Sequence, residues 1–267
     1  MIMQDIEQLL IKGREALETG EFAEAVRLFR QAEEVSPDLA EIHEVLGEAL
    51  AELGRAAEAR RHLEKAVALD PENLDARYAL GDLCFEEGQA KKALSIYQAI
   101  LDRAPEEADA WVSCGLVHFH QEDMERAESC YLKALAIDSE SVFALNSLGD
   151  VYYAQDRAEE AVAQYRRVVE IDPEDAQAHY NLAEICYDIG DLALAESECR
   201  EVLRLDPTFS FVYMTLGNLS LDREQPRQAL DWFQKFLLHE RSSSAKDIRD
   251  EVAAVVAGLK EELGREG

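Results

Sequence analysis

The chain has 267 residues, 48% of them hydrophobic, with only six prolines and thirteen glycines, so a disordered, loop-rich or all-β chain is excluded. Its 27 basic and 56 acidic residues give a formal net charge of -29. Charge of that sign and size repels phosphate backbones and anionic bilayers, which argues against nucleic acid and membrane and in favour of a basic partner.

Along the chain, the opening MIMQDIEQLL has no basic region followed by a long apolar run, so no signal peptide is expected. No stretch approaches 18 apolar residues, so no membrane insertion is expected. Cys84, Cys114, Cys130, Cys186 and Cys199 are odd in number and form no CxxC pair. That usage points to a reducing compartment, the cytoplasm, without disulfides or zinc.

From residue 6 a 34-residue unit recurs without slip: 6–39, 40–73, 74–107, 108–141, 142–175, 176–209 and 210–243. Each unit predicts two helices and a stop. In 142–175 the first helix carries Leu145, Leu148, Gly149 and Tyr152 at spacings of three, four and seven. The second carries Ala161, Tyr165 and Val168, and Asp172-Pro173 ends it.

Two residue types keep the period independently. Pro37, Pro71, Pro105, Pro173 and Pro207 stand at position 32, with Ser139 in the gap. Gly13, Gly47, Gly81, Gly115, Gly149 and Gly217 stand at position 8, with Ala183 in the gap. Position 20 is Ala in all seven units, from Ala25 to Ala229, and position 24 is mostly bulky: Phe29, Leu63, Tyr97, Tyr131, Tyr165, Cys199 and Phe233. Small residues let two helices approach, the bulky one fills the hole beside them, and proline cannot continue the second helix.

Departures are local. Lys12 replaces the usual leucine of position 7, Cys114 does so in repeat four, and repeat seven has Arg241 for the closing proline and Pro226 in its inter-helix turn. After residue 243, Ser244 precedes Asp247 by three as a helix-start box. Ile248, Val252, Val255, Val256, Leu259 and Leu263 then form an apolar stripe. Residues 244–267 are therefore expected to be a helix that caps the array 1–243.

The period and its residues, with Trp111 at position 4, Leu-Gly at 7 and 8, Tyr152 at 11, Ala at 20, an aromatic at 24 and Pro at 32, resemble the tetratricopeptide repeat. The resemblance spans residues 6–243. It implies an all-α right-handed superhelical solenoid of seven antiparallel helix pairs, completed here by the C-terminal capping helix. It also implies a protein-interaction scaffold whose first helices line a concave groove.

Positions 2, 5, 9, 12 and 13 would project into that groove. They hold fourteen acids (Glu7, Glu18, Glu41, Glu44, Glu48, Glu52, Asp75, Asp82, Glu86, Asp109, Asp150, Glu184, Asp188 and Asp222) and one basic residue, Arg14, a bias beyond the chain's own 56 to 27. Aromatics join them in repeats three to seven: Tyr78, Phe85, Phe119, Phe143, Tyr153, Tyr180, Tyr187 and Phe211. An aromatic floor rimmed by carboxylates suits a basic, partly apolar peptide. The candidate groove residues are Glu44, Glu48, Tyr78, Asp82, Phe85, Asp109, Phe119, Phe143, Asn146, Asp150, Tyr153, Tyr180, Asn181, Glu184, Tyr187, Phe211 and Asn218.

In relatives that clamp acidic chaperone tails, Lys, Arg and Asn occupy this surface. Here Asn146, Asn181 and Asn218 lack basic companions, and Glu48 and Asp82 would repel a carboxylate, so that clamp is not expected. Catalysis, cofactors and metals are not expected either: Cys114 and His118 sit on core positions, and HExxH, a phosphate loop and a nucleophile elbow are absent from the sequence. The alternative reading is a structural scaffold that self-assembles through its ends or faces.

Overall fold

The computed structural model describes residues 2–265. Fifteen helices and no strand occur among the described residues: α1 (Ile2–Glu18), α2 (Phe22–Val35), α3 (Ala40–Glu52), α4 (Ala56–Leu69), α5 (Leu74–Glu86), α6 (Ala90–Leu101), α7 (Ala108–His120), α8 (Met124–Ile137), α9 (Val142–Ala154), α10 (Ala158–Ile171), α11 (Ala176–Asp188), α12 (Leu192–Leu205), α13 (Ser210–Asp222), α14 (Pro226–His239) and α15 (Lys246–Arg265). From α3 on, every odd helix up to α13 begins at position 1 of the 34-residue period. Only α1 starts earlier, because no turn residue interrupts residues 2–5.

Two compact units divide the chain, one ending at Ser139 and the other starting at Glu140. The division falls at the repeat end that carries Ser139 instead of proline. In the first unit α1 to α8 pack as four consecutive pairs; in the second α9 to α14 pack as three pairs, and α15 packs on α14. Within the units, first helices also touch one another directly, α1 with α3, α3 with α5 and α11 with α13. No comparable packing joins two second helices among the described residues.

The core is the repeated motif. Every position-20 alanine from Ala25 to Ala229 is fully buried, and Phe29, Tyr97, Tyr131 and Phe233 are nearly so. Glycine at position 8 is required by close approach: a Cβ on Gly81 would lie 2.5 Å from Tyr97 Cε1, and one on Gly149 2.9 Å from Tyr165 Cε2. Repeat six changes both positions together: Ala183 takes the glycine place and the small Cys199 stands at position 24, each fully buried. All five cysteines are buried, and burial raises each of their thiols, Cys114 to about 12, which disfavours the thiolate form.

Three local devices were not visible in the helical periodicity. Position 15 is left-handed in every repeat, with φ between 57° and 82° at Gly20, Gly54, Gly88, Glu122, Asp156, Gly190 and Glu224. The aspartate before proline makes an Asx turn: Asp70, Asp172 and Asp206 accept the backbone N–H groups of Glu72, Glu174 and Thr208. Finally, the side chain at position 4 donates to the carbonyl of the preceding proline. His43 reaches Pro37, Arg77 Pro71, Trp111 Pro105, His179 Pro173 and Tyr213 Pro207, at 2.6–3.1 Å. These bonds satisfy carbonyls that a helix end would otherwise leave open. Leu145, which follows Ser139, has no polar atom to offer.

The C-terminal region departs from expectation in three details. Pro226 is the first residue of α14, where its missing N–H costs nothing, rather than a turn residue. The turn before α15 is closed by Ser242, whose Oγ accepts from the Ala245 N–H at 3.3 Å; Ser244 only bonds Ser242. Of the stripe, Val252, Val256 and Leu259 are buried, whereas Ile248 and Val255 remain exposed. Buried Glu240 anchors this end by accepting from Ser210 Oγ and Ser242 N, each at 2.7 Å. Those bonds pull its carboxyl down to about 2.

Candidate binding face on the first helices

The candidate residues lie on the odd helices and divide by unit. In the first unit Glu44 and Glu48 are on α3, Tyr78, Asp82 and Phe85 on α5, and Asp109 and Phe119 on α7. Glu44 is buried and accepts a bond from Asn73 Nδ2; desolvation nevertheless raises its carboxyl, and that of Glu48. It is therefore less available than an exposed groove acid. Asp82 and Asp109 are exposed, while Glu48, Tyr78, Phe85 and Phe119 are half-buried.

In the second unit Phe143, Asn146, Asp150 and Tyr153 come from α9, Tyr180, Asn181, Glu184 and Tyr187 from α11, and Phe211 and Asn218 from α13. Phe143 is 55% and Tyr153 46% exposed, so these two rings are presented to solvent rather than used as packing. Tyr180, which packs against Phe209 at 4.8 Å between ring centroids, and Phe211, which packs against Phe236 at 5.7 Å, are half-buried and contribute to the fold.

The carboxylates are held by hydroxyl groups. Tyr97 donates to Asp82 at 2.5 Å, and Tyr165 donates to Asp150, both across the same step from position 24 to position 9. Tyr153 donates to Asp188 at 2.9 Å and Thr215 to Glu184 at 2.6 Å. Each bond fixes a carboxylate but occupies only part of its acceptor capacity. Asp82 and Asp150 are open to water on one side and hemmed by protein on the other. That partial desolvation raises both carboxyl groups despite the tyrosine bond.

Asn146, Asp150, Tyr153, Tyr165, Asn181, Glu184, Ile185 and Asp188 line one open pocket of about 370 Å³ on α9 to α11. Three acids and no base line it. Asn146 Oδ1, shielded from water, has no hydrogen-bond partner among the described residues. Sequence reasoning found the acids and the exposed rings of this site. It missed the hydroxyl donors Tyr165 and Thr215; the constant spacing of fifteen from Asp82 to Tyr97 and from Asp150 to Tyr165 could have revealed the first.

Sequence profiles of the tetratricopeptide repeat match residues 12–70, 50–113, 108–141 and 176–209, and one described as TPR repeat matches residues 149–190. The chain belongs to the tetratricopeptide repeat family. Repeats of this kind are typically non-catalytic and mediate protein–protein interaction or scaffolding. Among solved structures, a tetratricopeptide repeat protein from Parabacteroides merdae is 20% identical, with a TM-score of 0.68 over 95% of this chain and 99% of that one. Pseudomonas aeruginosa pilF is 19% identical, with a TM-score of 0.65 over 80% and 96% of the two chains. YrrB, described as a TPR protein with an unusual peptide-binding site, is 20% identical, with a TM-score of 0.56 over 74% and 97%. No curated protein is significantly similar in sequence. No helix among the described residues is long and apolar enough to cross a membrane.

Proposed function

We propose that this tetratricopeptide repeat protein is a non-catalytic scaffold whose first-helix face takes a basic, partly apolar segment of a partner protein. The observation that carries the reading is the pocket on α9 to α11, where Asp150, Glu184 and Asp188 converge without a counter-cation beside exposed Tyr153. A lysine or arginine side chain entering there finds carboxylates already oriented by Tyr165, Thr215 and Tyr153. Its apolar stem can lie on a tyrosine ring, and Asn146 Oδ1 gains a donor. Phe143, one helical face along α9, offers an apolar contact to the same segment. Asp82 of the first unit, held by Tyr97, repeats the arrangement in smaller form.

A fluorescent peptide alternating lysine with leucine tests this reading by anisotropy. Affinity is expected to fall steeply with ionic strength, because exposed charges are screened within about 8 Å at physiological salt. Asp150→Lys with Asp82→Lys should reduce it at least about tenfold, the equivalent of ~1.4 kcal/mol. Binding that survives high salt, or is indifferent to the double substitution, would discard the basic-segment reading.

A further inference from the structure

Two departures from the repeat pattern meet a position-4 histidine at one point of the first unit. Position 28 is apolar in six repeats (Val67, Leu101, Leu135, Val169, Leu203 and Leu237) but is Glu33 in the first. Position 23 is histidine only in repeat two, at His62, and position 4 of that repeat is His43. These residues lie on α2, α4 and α3, and their ligand atoms gather within 4.8 Å of one another. Glu33 Oε1 lies 3.7 Å from His43 Nδ1 and 4.0 Å from His62 Nδ1, and the two nitrogens are 3.0 Å apart.

From this geometry we propose a binding site for a single first-row divalent metal ion, with Zn²⁺ as the best fit, held by Glu33, His43 and His62. The three edges define a point about 2.1 Å from each atom, the length of a zinc–imidazole or zinc–carboxylate bond. The tautomer is set for it. The Pro37 carbonyl can only accept, so the His43 Nε2 at 2.7 Å carries the ring proton, and Nδ1 presents a lone pair to the site. A ligating histidine whose other N–H is fixed by a backbone carbonyl is the usual outer-shell arrangement of such sites. His43 is fully buried, while Glu33 and His62 are half-buried, so water can complete the coordination from their side. Two imidazoles and one carboxylate with an open position suit zinc or a neighbouring transition metal and not Mg²⁺ or Ca²⁺, which prefer all-oxygen sets.

Repeat six supplies the internal control. His179 occupies position 4 and bonds the Pro173 carbonyl in the same way, at 3.0 Å. Its Nδ1 is taken by Glu198 at 2.6 Å, and Val169 stands where Glu33 would. No third ligand is in place there among the described residues.

The metal-free full chain is titrated with Zn²⁺ by calorimetry at physiological salt, with excess Mg²⁺ to suppress loose binding to the many surface acids. One equivalent is expected to bind and to remain after gel filtration. His62→Gln and Glu33→Gln should each weaken it by at least about tenfold, and His179→Gln should leave it unchanged. Equal helical content and a cooperative thermal transition well above the assay temperature for all four chains in chelator show that the substitutions spare the fold. Co²⁺ in place of Zn²⁺ should give visible bands that His62→Gln removes. If the native chain retains no Zn²⁺, or His62→Gln retains as much as the native chain, the site does not exist.

Discussion

Repeats two and six share position 4 and little else around it. His43 and His179 both grip a proline carbonyl, yet the first opens toward a second imidazole and a glutamate, and the second is closed by Glu198. Behind them, Gly47 packs against Leu63 in repeat two, while repeat six carries Ala183 and Cys199 at the same two positions. Toward solvent, position 5 is the buried Glu44 in one and the half-buried Tyr180 in the other. The frame tolerates two cores, two histidine environments and two faces, provided that each pair of partners changes together.

The largest effect should come from breaking one partnership in the core. Gly47→Ala drives a methyl group into Leu63 and is expected to cost about 3 kcal/mol, the upper part of the range for overpacking. Ala183→Gly, the reverse change in repeat six, should cost only about 1 kcal/mol of helix propensity and packing. A double-mutant cycle of Gly47→Ala with Leu63→Cys, read by urea denaturation, should show favourable coupling; strict additivity would refute the pairing.

The position-4 side chain that latches the proline carbonyl comes next. Without added metal, His179→Leu strips both the Pro173 carbonyl and Glu198 of a partner, for a loss of about 2 kcal/mol. His43→Leu should cost less, because Lys65 Nζ also donates to the Pro37 carbonyl at 2.6 Å. Equal losses would mean that the carbonyl bond is immaterial.

The smallest effect is the dependence on pH of the Glu44 contribution. Desolvation raises the Glu44 carboxyl in the folded chain, so the folded state holds its proton more tightly than the unfolded state. Its contribution to stability is then present at low pH and declines as pH rises from about 4.3, the unfolded value, through the higher folded value. Glu44→Gln should flatten that decline and stabilise the chain slightly at neutral pH. Repeat six, with Tyr180 at this place, should show no matching change in Tyr180→Phe over the same range. Denaturation midpoints at mildly acidic and neutral pH decide it.

Much of the fold was legible because a period of 34 writes each packing contact seven times, so Gly47, Ala59 and Leu63 could be read together with their siblings. The acids and exposed rings of the binding face were legible because spacings of three, four and seven define one side of a helix. The bonds that orient them were not. Asp150 meets Tyr165 across an inter-helix turn, and Tyr153 meets Asp188 in the next repeat, at separations of 15 and 35. Helical periodicity says nothing about partners on different helices. His43 and His62, 19 apart, were hidden for the same reason, and so was Glu33, which reads as an ordinary exposed acid until α2 lies beside α3.

The proline-carbonyl latch has a consequence for divergence. Imidazole, guanidinium, indole and phenol all close it in this one chain, because the acceptor asks only for a donor at the right reach. Substitution at position 4 can therefore cross chemical classes that sequence alignment scores as unrelated, with no change in the packing that depends on it. A repeat built on such interchangeable parts drifts quickly in identity and slowly in shape.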